Sequence, residues 1–416
     1  MKEDSENIVV VKFGGSSVAD SDKISHAASL VAKKTKEGKK VIVVISAIGK
    51  TTDQLVKLTN GSSFTGSPKH MDEVLAMGER TSCRVFNLAL SSHNLKSDFL
   101  DIDDADWPII TDNTHGSANI ILEKTRKNIK ETISKKFKEL DIIIVPGFIG
   151  KSNEGETTTI GRGGSDATAY VIADSLGVKE VILVSDVEGI MTADPKVIKN
   201  PELIDKIHVD KLVGLADSGV KFMHKRALAY KPDDVSVKLI SNTSESLDVK
   251  GTIIIGSMSD LEVDIISKNE AGSITIVGQG ITEKPKTLSD ILRVLHDLEI
   301  PLYGMSADHG SIVMYLEEKG INKAMENLHS IVIKSEETLA IARRNGLSVL
   351  RINGIGLQET PGSISRAATI LRKNGINIFG QYTVMSQIFL LVEYGTEKKA
   401  KELIEKELGG EVNGQN

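Results

Sequence analysis

The chain is short of cysteine, of aromatic residues and of any excess of basic charge. Its one cysteine, Cys83, excludes an intrachain disulfide. Cys83 lies in GERTSCRVFNLAL, a helical pattern in which a small apolar thiol suits the core better than it suits nucleophilic chemistry. Aromatic residues are 4% of the chain and the formal net charge is −6. A single-strand nucleic-acid binder needs stacking platforms and a basic groove, so no nucleic-acid partner is expected. No apolar run approaches the ~18 residues of a membrane span. The opening MKEDSEN is polar and is not followed by the apolar run of a secretory leader. No membrane association is expected, and the expected location is cytoplasmic. Low-complexity tracts are also missing, as is any His, Cys and carboxylate cluster with metal-ligand spacing, so no protein-held metal is expected.

What is present is an ordinary globular composition, 40% hydrophobic and 26% charged, over 416 residues. That length exceeds one typical core and predicts two or three domains. Residues 8–13 read as a strand and 21–37 as an amphipathic helix. KKVIVVISAIG (39–49) is a β-branched run too continuous to have a wet face, as in parallel strands covered on both sides. A helix at 71–91, a strand at 141–150, a helix at 165–176 and a strand at 180–190 continue the alternation, and TIIIG closes it near Gly256. Strands alternating with helices predict a doubly wound α/β sheet, mostly parallel.

The texture changes near residue 262. Strands at 273–280, 310–318, 347–356 and 386–395 alternate with helices at 288–300, 321–332, 363–376 and 396–408, which reads as a short unit repeated twice. The predicted division is 1–262 for one domain and 263–416 for two small units, about 263–340 and 341–416, either sequential or interleaved.

Three glycine-rich turns carry the chemistry. In VVVKFGGSSV a strand ends at Lys12, and Gly14 and Gly15, lacking Cβ atoms, let backbone N–H groups approach an anion. Ser16 and Ser17 add hydroxyls. The motif is neither GxxxxGK[ST] nor GxGxxG. In GFIGKSNEGETTTIGRGGSDATA, Gly161-Arg162-Gly163-Gly164-Ser165-Asp166 opens a helix, a ready anion site. Arg162 can grip a carboxylate through two parallel hydrogen bonds. Asp166 can instead be read as a helix-capping carboxylate. In SDVEGIMTADPKV a strand ends at Ser185-Asp186 before a loop with Met191, Asp194 and Lys196. Lys12, Ser46, Gly147 and Asp186 all fall at strand ends, the edge where open α/β sheets bind ligands. Glu79, in LAMGERTS, reads on its own as a solvated helix glutamate beside Arg80 or Arg84.

KFGGSSVAD resembles the signature of aspartate kinases. The resemblance continues in order through SAIGKTTDQL, LAMGERTS, IITDNTHGSA, GRGGSDATA, SDVEGIMTADPK and GVKFMH, and covers nearly the whole chain. It implies an amino-acid-kinase α/β/α sandwich followed by two ferredoxin-like ACT units. It also implies ATP-dependent phosphorylation of the side-chain carboxylate of L-aspartate to 4-phospho-L-aspartate, the first step of the aspartate-derived amino-acid pathway. By motif match, Lys12 with Gly14 and Gly15 would hold the transferring phosphoryl, and Ser16 would belong to the nucleotide site. Ser46, Thr52, Glu79, Arg162, Gly163 and Ser165 would hold aspartate, with Arg162 on the α-carboxylate and Glu79 on the α-ammonium. Asp166 would orient Lys12 and Lys221. Ser185, Asp186, Met191, Asp194, Lys196 and Lys221 would hold the nucleotide, with Mg²⁺ arriving on its phosphates. Met191 stands where many relatives carry an aromatic residue, and His224-Lys225 replaces a His-Pro. The ACT segments lack the usual serine/glutamate-rich effector strand, so lysine or threonine as effector is an expectation of the fold rather than of a motif. ACT units commonly pair between chains, implying a homodimer or larger homo-oligomer. Two other readings stay open: a kinase of the same fold acting on glutamate, acetylglutamate or a nucleotide, and a non-catalytic amino-acid sensor.

Overall fold

A computed structural model of the chain describes residues 5–59, 67–217, 224–258, 261–354, 357, 361–384 and 387–409. The chain divides into two compact units, residues 1–258 and 259–416. Among the described residues no helix is long and apolar enough to cross a membrane.

The first unit is built on an eight-stranded sheet. Its strands are β1 (Ile8–Phe13), β2 (Lys40–Ile45), β3 (Ser97–Phe99), β5 (Ile142–Pro146), β8 (Glu180–Ser185), β9 (Lys206–His208), β10 (Ser236–Ser241) and β11 (Thr252–Ile255). Their spatial order is β3-β5-β2-β1-β8-β10-β11-β9. The six strands from β3 to β10 run parallel, and β11 is antiparallel to β10. A separate small sheet joins β4 (Ile110–Thr111), β6 (Ile149–Ser152) and β7 (Thr157–Thr159).

The apolar runs have the expected cause. Val11, Phe13, Val41, Val43, Ile45, Ile142, Ile144, Ile182 and Val184 point to one face, where they pack on helices α1 (Ser21–Lys36) and α3 (Pro68–Ser91) through Ile24, Ala28, Val31, Cys83, Phe86 and Leu90. Cys83 is fully buried there and burial pushes its thiol up, out of the nucleophilic range. The alternate residues, such as Val10, Ile42 and Ile143, are equally buried on the opposite face. There α5 (Gly164–Leu176) packs on β1, β2 and β8, with α4 (Leu122–Lys136) against it. Helix α2 (Thr51–Thr59) follows β2, and α6 (Val209–Asp217) and α7 (Lys225–Leu228) lie before β10.

Two predicted strands end early. The 141–150 run breaks at Gly147 and Phe148, whose φ of 69° turns the chain out of the large sheet and into β6. The 180–190 run leaves the sheet after Ser185.

The second unit is one antiparallel sheet of seven strands. These are β12 (Glu262–Ile265), β13 (Ala271–Gly278), β14 (Leu302–Ala307), β15 (Ser311–Glu317), β16 (Thr338–Asn353), β17 (Gly380–Val384) and β18 (Gln387–Glu393). Helices α8 (Pro285–Asp297) and α9 (Glu318–Lys334) build one core with Ile274, Ile276, Ile312 and Met314. Helices α10 (Ser363–Lys373) and α11 (Glu397–Gly409) build another with Leu350, Ile352, Ile388 and Leu390. Each core sits under a ferredoxin-like βαββαβ set. The two sets are interleaved, because β12 precedes the first set in sequence yet pairs with β16 and contributes Val263 to the second core. The long strand β16 serves both, pairing β13 with its first half and β12 and β18 with its second.

Candidate active site

The loops that leave the parallel strands β1, β2, β5 and β8 meet at their carboxyl ends. After β1, Gly14 donates its N–H to the Val184 carbonyl of β8 (3.2 Å), and Gly15–Val18 forms one 3₁₀ turn. Gly15 is constrained by contact. A Cβ there would lie 2.7 Å from the Gly49 carbonyl oxygen and 2.8 Å from that of Ala47, so the loops after β1 and β2 touch backbone to backbone. The Ser17 hydroxyl donates to the Val184 carbonyl (3.0 Å) and is not free to cap the turn or meet a ligand. Gly147 follows β5 under the same constraint, since its Cβ would come within 2.7 Å of the Ser165 backbone. Gly163, at φ 80°, is the residue that turns the chain into α5.

These loops surround an open cavity of about 500 Å³. Lys12, Gly15, Ser46, Thr52, Glu79, Arg162, Gly163, Ser165 and Asp166 all line it. The Lys12 ammonium lies 2.6 Å from Asp166 Oδ1, with 15% and 12% of the two side chains exposed. Asp166 is in the first turn of α5 but caps nothing there, since the N-cap is Gly163 and no side chain closes it. Its partner is the lysine on the neighbouring strand. Arg162 is exposed at the cavity wall.

Glu79 departs most from the reading of its helix alone. It is 3% exposed, on the α3 face turned to the cavity. Its Oε1 accepts the Ala47 N–H (3.1 Å), and Oε2 is buried with no partner among the described residues. Burial pushes its carboxyl up to about 7, against the opposing pull of the Ala47 and Glu79 N–H groups and the Lys12 charge. The surface pairs belong to its neighbours: Arg80 binds Asp101 and Asp103, and Arg84 binds Asp101.

Other expected residues lie off the cavity wall. Gly14 flanks Lys12, with its Cβ position 3.7 Å from the lysine nitrogen. Ser16 and Ser185 are drawn together by Asn242, whose side chain donates to the Ser16 carbonyl (3.5 Å) and whose N–H donates to the Ser185 carbonyl (2.6 Å). The Ser185 hydroxyl bonds Asp186 (3.1 Å). Met191 bridges to Leu203, and Asp194 accepts the Lys196 N–H (2.9 Å) in a turn of the same exposed loop. Lys221 lies outside the described residues. The sequence reading missed Lys50, Phe148, Thr159, Gly116 and Asn242 as parts of this region. Lys50 and Gly116 sat inside quoted motifs without a role. Phe148 and Thr159 reach the wall only because β5 breaks and β7 folds back.

Comparison with known proteins identifies the family. The family model described as the amino acid kinase family matches residues 7–239. The aspartokinase of Geobacillus stearothermophilus is 30% identical over 385 residues, 89% of each chain. That of Corynebacterium glutamicum is 29% identical over 421 residues, 97% of each chain. Among solved structures, aspartate kinase from Synechocystis superposes with a TM-score of 0.76 at 22% identity, covering 96% of this chain and 69% of that one. Aspartokinase III of E. coli, in complex with aspartate and ADP, superposes at 0.55 and 22% identity over 97% of this chain and all of the other. These likenesses confirm an α/β kinase fold followed by ACT-type antiparallel units. The chain belongs to the amino acid kinase family and, within it, to the aspartokinases.

Proposed function

We propose that this chain transfers the γ-phosphoryl group of ATP to the side-chain carboxylate of L-aspartate. One observation carries the reading: a single cavity holds the Lys12–Asp166 pair, the Arg162 side chain and a buried, half-unpaired glutamate, Glu79. An α-amino acid presents a carboxylate and an ammonium on the same carbon. Arg162 suits the first through its planar fork of donors, and Glu79 Oε2 suits the second. Thr52, Ser46 and Ser165 add hydroxyl donors around the acceptor carboxylate.

Phosphate and carboxylate repel, so the transfer needs a cation between them. Lys12 supplies it, oriented by Asp166, at the rim where the Gly14-Gly15 turn brings backbone close. Lys221, by motif, would reach the nucleotide phosphates. The attacking oxygen is already anionic, which leaves positioning and charge neutralisation as the work of the site. Ser16, Ser185, Asp186 and the loop through Met191, Asp194 and Lys196 would hold the nucleotide beyond the cavity. Among the described residues no group of three or more His, Cys, Asp or Glu is placed to hold a metal. Mg²⁺ would arrive on the nucleotide phosphates, where it would neutralise their charge.

The second unit would tune this activity by binding an amino acid, lysine or threonine, and would pair with that of a second copy. Aspartokinase III of E. coli has been solved in complex with lysine and aspartate.

The direct test is incubation with ATP, Mg²⁺ and one amino acid at a time, trapping acyl phosphate with hydroxylamine. Hydroxamate from aspartate and not from glutamate is expected. Hydroxamate from glutamate alone, or none from either, would overturn the proposal.

A further inference from the structure

Asp72 lies in α3, two helical turns before Glu79 and on the same face, with Leu75 between them. It is fully buried. It does not line the cavity, yet four hydrogen bonds converge on it from two segments that do. Its Oδ1 accepts the Thr159 hydroxyl (2.5 Å) and the Gly116 N–H (3.1 Å). Its Oδ2 accepts the same N–H (3.0 Å) and meets His115 Nδ1 (2.9 Å). The ring continues outward: His115 Nε2 lies 3.2 Å from Glu156 Oε2, and Lys69, one turn earlier in α3, binds Glu156 Oε1 at 2.6 Å. Helix α3, the loop at 112–118 and the β6–β7 hairpin are thus tied at one carboxylate.

Gly116 and Thr159 are cavity wall. The Gly116 carbonyl also abuts Gly161, whose Cβ position is 3.3 Å away, and Gly161 precedes Arg162. One side of the Asp72 junction is therefore the helix that carries Glu79, and the other is the wall that leads to Arg162. A buried carboxylate with three partners making four contacts is costly to leave half satisfied, so the junction resists opening.

We propose that Asp72 is a positioning residue that sets the separation of Glu79 from Arg162, and with it the affinity of the site for an α-amino acid. This rests on the reading of Glu79 and Arg162 given above. It concerns the acceptor half of the site and leaves the phosphate end around Lys12 untouched.

The test is Asp72→Asn, which keeps the shape and removes the charge. Losing charge-assisted bonds at this junction should raise the aspartate KM roughly tenfold or more, with the ATP KM and kcat held within about threefold. Hydrogen exchange at the Gly116 amide should speed up by at least about tenfold in the same variant, read without any turnover. Thr159→Val removes one of the four bonds and should raise the aspartate KM less, with Thr159→Ser recovering most of that change. Should Asp72→Asn fail to fold, the Thr159 pair carries the test. An unchanged aspartate KM, an equal rise in both KM values, or unchanged Gly116 exchange would overturn the positioning role. Absence of aspartate turnover in the unmodified chain would instead overturn the proposed function, and the exchange comparison would still decide whether Asp72 holds the wall.

Discussion

The proposed role of Glu79 predicts that aspartate binding depends on pH in a calculable way. Burial raises its carboxyl from 4.5 to about 7. At 1.36 kcal/mol per unit, ionising it in the empty cavity costs about 3 kcal/mol relative to water. On the proposed contact, an arriving α-ammonium would supply the missing partner for Oε2 and offset that cost. Aspartate therefore binds the ionised form, and below neutrality a proton must leave as it binds. With a carboxyl near 7, release of about 0.9 proton per aspartate is expected at pH 6 and about 0.1 at pH 8. Affinity should fall about tenfold per pH unit below 6.5 and flatten above 7.5. Titration calorimetry in two buffers of different ionisation enthalpy reads the proton count directly. Glu79→Gln should bind aspartate weakly and without proton release. The linkage sign gives a second check. Because the folded-state value is raised, the stability contribution of Glu79 is whole below about pH 4.5 and is lost as pH rises through about 7. Glu79→Gln should accordingly raise the melting temperature of the empty protein more at pH 8 than at pH 5.5. A pH-independent affinity with no proton release would refute the reasoning.

Three further outcomes follow from the site. Lys12→Ala should lower kcat by roughly 10²–10³, the scale of removing one preorganised charge, and a wild-type kcat would remove Lys12 from the transfer step. Arg162→Ala should raise the aspartate KM far more than the ATP KM in steady-state kinetics, and equal effects would count against an α-carboxylate contact. Gly147→Ala places a Cβ 2.6–2.7 Å from Ser165, and denaturant titration should show a loss of roughly 1–3 kcal/mol from overpacking, with aspartate turnover reduced as α5 is pushed from the cavity.

The amino-acid sequence by itself determined the layered α/β architecture, because runs such as VIVVI and IIIV have no polar face and stand only between two layers of helices. It located the strand ends with their glycine turns, since only residues without a side chain allow the close approach seen at Gly15 and Gly147. The alternation of strands and helices in the C-terminal part was equally legible in its periods. Tertiary structure alone decided the rest. Nothing local separates Glu79 from the half-buried, ion-paired Arg80 beside it; full burial follows from which face of α3 meets the sheet, and that is a long-range packing outcome. The local pattern around Asp166 also allowed a helix cap, and only the approach of β1 brings Lys12 against it, 154 positions away in sequence. Strand β12 is only four residues, EVDI, half of them acidic, and only the pairing with β16 interleaves the two small units. Local pattern records what a residue can do within one element, whereas charge state, hydrogen-bond partner and cavity membership depend on elements that meet only in the folded chain.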